Sequence, residues 1–586
     1  MRLPRWVRAL WRPSWPTVVV LLAYLAAALL VTWPLWTPLG DRTSAVNPGD
    51  MALFAWLMEW PPHAVAHGDN PWFTDALNAP TGVNLMWNNG MSLPALVLWP
   101  VTALFGGLAT VVVLLTLGMA GSAATAYAAL RSLSVRVAPA AIGGALFGFS
   151  PAMLAQAHGH PNLVFNVLAP VILLLVVRLV ADPEPRRRDA ILLGLTAGAQ
   201  VLIGEEILLL TGIVAVLLVA ALALSRPDLV RLRVRQIGPR AAEAAGVFLV
   251  LAALPLGFQL FGPLEQHGLP FDPAYYSADL AGYVVPTELQ QLSTEATRTR
   301  SEAFPGGLEE HTAYLGWPLI ALCVVVLVLW WRSLRVRVAL LTAAVVAVFA
   351  LGERLTIDGQ EKGLRLPWDL LNDLPFLEHV VQTRFAIFTI GLIGAAVAFA
   401  LDDLAARPLP IHAVGWGVVA LAVIPLLPAR YDAADAPTVP DFFAERAGQV
   451  LGCDGTVLVL PYPSAAFTDP MLWQAASGFA FSMPGGYFIG PDATGQARFG
   501  GAGSFTRSVF ESAYLEGVIT PATAATRREF ASDLDDWDVC AAVIGPGYNY
   551  DVVLGQAVRL IGAQPEPVGG GVLVWHDLSA VRALSQ

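Results

Sequence analysis

Apolar residues along this chain run in long blocks, at 17–32, 111–130, 164–180, 191–204, 207–224, 244–261, 319–331, 338–351, 385–401 and 414–427. About 20 apolar residues carry a helix across a bilayer core, and a helix satisfies its own backbone hydrogen bonds in lipid. Each block, extended by flanking residues where it is short, therefore predicts a membrane-crossing helix. Arg2, Arg5, Arg8 and Arg12 precede the first block, as in a secretory leader. Its apolar stretch is too long for one, however, and no small-residue cleavage site closes it, so it is expected to remain as an anchor.

Between the blocks the polar stretches are uneven. Residues 38–93 and 262–312 are long for loops, and long loops are usually functional or disordered. Within the first and just after it lie two apolar pieces, 51–60 (aromatic, interrupted by Glu59) and 93–105. Both suit helices lying in the membrane interface, where Trp is favoured; a short packed or re-entrant helix is the alternative for each. From about residue 428 the pattern becomes that of a soluble domain. Short β-like runs at 456–460, 541–544 and 572–575 alternate with helical stretches at 522–537 and 553–561, which predicts an α/β domain of about 150 residues. The expected division is thus a transmembrane domain over 1–427, with outer loops 38–93 and 262–312, and an extracytoplasmic α/β domain over 428–586.

Composition and charge sharpen this. Of 586 residues 56% are hydrophobic and 13% charged, against roughly a quarter charged in soluble proteins, and the mean hydropathy is +0.60. Arginine is almost the only base, with Lys362 the lone lysine, and it clusters at the N-terminus, 131–136, 186–188, 226–240 and 332–337. Positive loops face the cytoplasm. With the N-terminus inside, about eleven spans make these clusters alternate with outer segments at 38–93, 158–162, 205–206, 262–312, 352–383 and beyond 428, in which acidic residues dominate overall. Basic runs between spans read as topology signals, and the acidic outer loops argue further against a nucleic-acid partner. Of the three cysteines, Cys323 falls in a span. Cys453 and Cys540 each sit beside a β-like run in the outer domain and are expected to pair as a disulfide.

Polar residues at membrane boundaries are costly unless used or paired. Asp50 opens the 51–60 stretch, where it suits an N-cap or first-turn position. His158-Gly159-His160-Pro161-Asn162 follows Phe149-Ser150-Pro151 at the outer end of a span. Histidines two apart do not share a helical face, so the expectation is a turn presenting His158 and His160 at the surface rather than a helical metal site. Glu205 and Glu206 form a very short outer turn, either hydrated or lining a cavity. Glu309-Glu310-His311 precedes Tyr314-Leu315-Gly316 at the next span, so Glu310 and His311 are further cavity-lining candidates. Arg384 starts a span on the outer side, against the positive-inside bias. It either snorkels or supplies a bidentate phosphate contact. No Walker loop, dinucleotide-binding glycine motif, Cys-x-x-Cys, His-Glu-x-x-His or Gly-x-Ser-x-Gly occurs. ATP-driven transport by this chain alone and cytoplasmic nucleotide-sugar chemistry are therefore disfavoured.

Over roughly residues 15–500 the chain resembles the GT-C-fold glycosyltransferases, and in particular a bacterial branch of GT-C-like membrane proteins. The strings that carry the resemblance are Trp33-Pro34, Gly49-Asp50, Asn70-Pro71-Trp72-Phe73, Pro80-Thr81-Gly82-Val83-Asn84, Phe149-Ser150-Pro151, Gly159-His160 and Tyr314-Leu315-Gly316. The resemblance implies a polytopic α-helical membrane enzyme in the inner (plasma) membrane. It would transfer a sugar, usually with inversion, from a polyprenyl-phosphate donor to an extracytoplasmic glycan, lipid or protein acceptor. Asp50 would be the catalytic carboxylate, with Arg384 and His158 or His160 at the donor phosphate. Asp50 stands without an adjacent second acid where the family shows an acidic pair, so no metal ligand is assigned. A divalent ion stays open and the cofactor is unknown. Two other classes fit the same features: a non-catalytic GT-C-like assembly protein, and a transporter or lipid flippase. An absent internal repeat and a large outer domain argue against the last.

Overall fold

A computed structural model describes residues 14–88, 90–453 and 455–585. The N-terminal arginines Arg2, Arg5, Arg8 and Arg12 lie outside the described residues. Every apolar block is wholly or largely helical; the block 164–180 is interrupted between Val164 and Ala169. Seven helices among the described residues are long and apolar enough to cross a membrane: Trp15–Trp36, Ser92–Ser132, Pro161–Ala181, Glu205–Ser225, Arg235–Phe261, Gln382–Leu404 and Leu409–Leu426. Shorter helices occupy Val137–Gly148, Arg187–Val201, Gly316–Leu329 and Leu334–Ala350. The chain is thus a polytopic α-helical membrane protein.

The chain divides into two compact units. One comprises residues 1–47, 112–254 and 272–434; the other comprises 48–111, 255–271 and 435–586. The change of composition near 428 thus falls close to the last boundary. The second unit, however, also takes in most of the first long loop and the short segment 255–271.

In the first unit the helix Phe385–Leu404 is the central element, buried along nearly its whole length and flanked by Leu334–Ala350 and Val137–Gly148. Glycine permits the second contact: a Cβ on Gly394 would stand 2.9 Å from the carbonyl oxygen of Gly143. Small residues let membrane helices pack backbone to backbone, where dispersion rather than hydrophobicity holds them. Peripheral helices expose apolar side chains, such as Leu249, Val250 and Leu254 on the helix Pro227–Phe261, as lipid-facing surfaces require.

In the second unit the C-terminal segment carries a four-stranded sheet. Its spatial order is Glu566–Gly569, Val572–Trp575, Val539–Ile544, Thr456–Leu460. The last two strands are parallel; the other pairings are antiparallel. Leu458, Leu460, Ala542 and Ile544 face the helices Phe505–Glu516, Ala524–Asp536 and Tyr550–Ile561 and form the core with Phe510, Phe530 and Leu560. Cys453 and Cys540, just ahead of or within the two parallel strands, are disulfide-linked with α-carbons 6.4 Å apart.

The two apolar pieces in and just after the first loop behave differently. Within Ser92–Ser132 the early part exposes Val97, Trp99, Leu104 and Phe105, as an interfacial helix would. The other piece lies in the helix Pro48–His67, where Met51, Ala52, Phe54, Ala55, Trp56, Leu57, Met58 and Trp60 are all buried. This corrects the interfacial expectation. A helix apolar on all sides has no polar face for water, and this one packs on Asp469–Ala476, with the Trp56 indole N–H donating to Gln474 Oε1 at 2.9 Å. Glu59, the one charge in that stretch, accepts the backbone N–H of Gly107 at 2.7 Å, where the long helix restarts after Gly106 at φ +80°. Burial raises its carboxyl above the usual range, and that hydrogen bond opposes the rise. Glu59→Gln keeps the acceptor and is expected to be nearly neutral, whereas Glu59→Ala orphans the N–H at about 1–3 kcal/mol. Denaturation midpoints of the two variants check this.

Asp469, in the first turn of its helix, is pushed up to about 6 by burial. Because its folded value exceeds its unfolded one, the associated stability is present below about pH 4 and is lost as pH rises through about 6. Asp469→Asn is therefore expected to be more stable than wild type at pH 7.5, by on the order of 2–3 kcal/mol. It should also flatten the stability profile between about pH 4 and 6, read from melting temperatures across that range.

Candidate functional site

Asp50 lies in the second unit. The helix Pro48–His67 places it in the first turn, so the carboxylate meets the positive end of the helix dipole rather than occupying the cap position itself. It is 8% exposed, and the Tyr487 hydroxyl donates to its Oδ1 at 2.7 Å. Tyr487 follows Gly485-Gly486, 437 residues away, and no local pattern marks it as a partner. The arrangement gives an oriented carboxylate at the start of a buried helix, able to accept a proton.

The remaining candidates belong to the first unit, and several converge there. Arg384 Nε and Nη2 donate to Glu310 Oε1 at 3.1 and 2.6 Å, and its Nη1 bonds Glu206 Oε2. The second Glu310 oxygen accepts from Gln156 Nε2 at 2.8 Å. Gln156 Oε1 lies 2.6 Å from His160 Nδ1, which places the imidazole hydrogen on Nδ1. His160 Nδ1 also stands 3.8 Å from Glu310 Oε1. Burial acts to raise the Glu310 carboxyl, yet Arg384 and His160 outweigh it and hold the group below its usual range. The Thr383 hydroxyl donates to the Glu310 carbonyl at 3.0 Å, so segment 308–312 is tied to the start of the Arg384 helix. Sequence reasoning missed Gln156, although a glutamine ending an apolar run four residues before His160 was a usable signal.

Glu205 occupies the first position of the helix Glu205–Ser225, and the contact to Arg384 comes from Glu206. Among the described residues Glu206 Oε1 finds no hydrogen-bond partner, although it is buried. Two carboxylates face one guanidinium, so the cluster has no spare positive charge for a phosphate unless His160 is protonated.

His158 does not sit at the surface as the turn reading expected. It is 5% exposed, stacks on Tyr431 with ring centroids 4.1 Å apart, and lies 3.3 Å from the Ser44 hydroxyl. Burial pushes it down to about 4, so it is neutral at pH 7 and cannot bind an anion by charge. His160 is also mostly buried, at 15% side-chain exposure. The turn fails to present these rings because it is covered: the Tyr431 hydroxyl donates to the Ala157 carbonyl at 2.9 Å. His311 packs edge-on against Phe304 and lines a narrow crevice with Ser277, Asp279, Thr287, Glu310 and Thr383. Burial lowers its imidazole from the usual range. Among the described residues no three His, Cys, Asp or Glu side chains converge as a metal site.

Among solved structures the chain is similar to the arabinofuranosyltransferase AftD from Mycobacteria, with TM-score 0.52 and 15% identity over 95% of this chain and 39% of that one. It thus spans about two fifths of that enzyme's length. It is also similar to the Archaeoglobus fulgidus oligosaccharyltransferase in its apo form, with TM-score 0.47 and 12% identity over 91% and 70% of the two chains. The likeness is one of fold, and the fold is the GT-C type of membrane glycosyltransferases. No curated protein matches. The family model described as "Domain of unknown function (DUF6311)" matches residues 20–374, more than half of the chain, and the chain therefore belongs to the DUF6311 family.

Proposed function

We propose that the chain is an inverting glycosyltransferase that moves a sugar from a polyprenyl-phosphate donor to an extracytoplasmic glycan, lipid or protein acceptor. It would act in the inner membrane, with its N-terminus in the cytoplasm and its C-terminal domain outside. The observation that carries the reading is Asp50: a carboxylate buried in the first turn of a helix and oriented by Tyr487, in a chain with a GT-C fold. An acceptor hydroxyl oxygen bonds to the anomeric carbon as the carbon–oxygen bond to the lipid phosphate breaks. The phosphate leaves with the electron pair, and Asp50 takes the hydroxyl proton as general base. A base that deprotonates the incoming oxygen as the bond opposite breaks gives inversion in a single displacement.

The proposal leaves His158 out of the phosphate contacts, because it is neutral and packed on Tyr431. Arg384 and His160 are left out as well, because Glu206, Glu310 and Gln156 engage them. Instead they lock segment 308–312 against two spans.

The experiment incubates purified protein in lipid nanodiscs with polyprenyl-phosphate pentoses and hexoses of known anomeric configuration plus a membrane-extracted glycan acceptor. The expected product carries the opposite anomer by proton NMR. A product of retained configuration would contradict the single displacement. Net movement of intact donor across the bilayer of sealed proteoliposomes, with no product, would favour the transporter reading.

A further inference from the structure

Ligands of open α/β sheets bind outside the carboxyl ends of the strands, where neighbouring parallel strands send their chains to opposite faces. The C-terminal sheet has one such place. Strands Thr456–Leu460 and Val539–Ile544 are parallel and end in register, Leu460 opposite Ile544. After Ile544 the chain enters the helix Tyr550–Ile561, on the face that Leu458, Leu460, Ala542 and Ile544 share with Val553 and Leu560. After Leu460 it enters the helix Asp469–Ala476, which lies outside that core and packs on Asp441–Glu445 and Pro48–His67.

The two departing loops meet above the strand ends. A Cβ on Gly547 would come within 3.0 Å of Pro461 and 3.4 Å of Phe467. The rings of Phe467 and Tyr514 have centroids 4.8 Å apart, and Tyr548 stands almost perpendicular to Tyr514 at 6.1 Å. Asn549 fixes this corner by donating to the Tyr514 carbonyl at 2.8 Å. Tyr548 is 66% exposed, a large ring held out at the rim. Asp469 lies near Tyr514, whose phenol is raised by burial first and by the Asp469 charge second.

We propose that this corner is a saccharide-binding site, with the exposed Tyr548 ring as the stacking face, Tyr514 as the wall that meets it edge-on and Asp469 as the hydroxyl-binding group. The C–H face of a pyranose packs on an aromatic ring, whose face carries negative charge, while a carboxylate accepts hydrogen bonds from adjacent hydroxyls. An apolar wall with few placed polar groups is the general form of a small-ligand site. The charge pattern selects a neutral sugar over a phosphorylated one. Both helices that begin here carry an acid in the first turn, Asp469 and Asp551, where a phosphate would otherwise be welcomed. The nearest arginine on the adjoining helix, Arg507, is taken up by Glu511 and the Phe499 carbonyl. The site goes beyond the transfer reading and does not depend on it.

The test uses the full chain in lipid nanodiscs free of sugar detergents. Maltotetraose, cellotetraose and mannotetraose are the probes, and saturation-transfer NMR reads their ring protons. At least one tetrasaccharide should bind. Tyr548→Ala, at an exposed position, should weaken binding about tenfold and Tyr548→Trp should retain it. Asp50→Asn should bind as wild type does, so that a failure of transfer and a failure of this site are separate results. No saturation transfer from wild type to any tetrasaccharide, undiminished binding by Tyr548→Ala, loss of binding in Asp50→Asn, or, with the two monosaccharides as added probes, tighter binding of glucose 1-phosphate than of glucose would each overturn the proposal.

Discussion

Asp50→Asn is expected to lower glycosyl transfer by about two to four orders of magnitude, the usual worth of a positioned base, with folded protein obtained in near wild-type amounts. Asparagine matches aspartate in size, and its side-chain oxygen can still accept the Tyr487 hydroxyl that Asp50 Oδ1 accepts at 2.7 Å. What disappears is the charge and the basic oxygen. Losing the charge at a helix N-terminus costs only about 0.3–1 kcal/mol. Asp50→Ala should lose transfer as well. It also leaves the Tyr487 hydroxyl without this acceptor, at about 1–3 kcal/mol. A purely structural Asp50 makes the opposite forecast, in which the Asn variant transfers normally and only the Ala variant suffers. Transfer rates and melting temperatures of both variants separate the two.

Arg384→Met is expected to cost about 3–5 kcal/mol, because it strands buried carboxylates rather than merely removing a contact. Glu310 has 2% side-chain exposure and Glu206 14%, and the guanidinium engages both. Taking two charges out of water is expensive, and an apolar or neutral replacement of the whole set is often as stable as the ion pair. Arg384→Met combined with Glu206→Gln and Glu310→Gln should therefore recover most of the loss. Thermal unfolding in detergent reads the difference. If the triple variant were no more stable than Arg384→Met alone, the uncompensated-charge account of this cluster would fail.

What the sequence showed and what it hid follow from the range of the forces involved. A membrane span is a local requirement, because about 20 apolar residues satisfy it without help from elsewhere; the apolar blocks accordingly proved to be largely helical, and seven helices among the described residues are long and apolar enough to cross a membrane. Strand alternation and length are local as well. The β-like runs at 456–460, 541–544 and 572–575 became the strands Thr456–Leu460, Val539–Ile544 and Val572–Trp575. Partners are not local. Arg384 meets Glu206 across 178 positions and Glu310 across 74, and the sequence offered only charges near three separate span ends, with nothing to pair them. Asp50 was legible as an acid opening an apolar stretch, whereas Tyr487 was not legible at all. The burial of Met51–Trp60 was misjudged because tryptophan serves equally in an interface and in a core. The decisive feature was the neighbouring helix Asp469–Ala476, from the other end of the chain. Likewise the glycine and proline around His158 and His160 did predict a turn, but not that Tyr431 would cover it.

The reaction turns on cleavage of a polyprenyl-phosphate sugar, and phosphorus-31 NMR follows that bond directly. In the donor the phosphorus is a diester between lipid and sugar; after transfer it is the monoester of the lipid. Purified protein in nanodiscs, given acceptor and a panel of such donors, should convert the diester signal of at least one donor to monoester. The conversion should be almost absent with Asp50→Asn. Unchanged diester from every donor, while a nucleotide sugar supplied in parallel is consumed, would contradict the account.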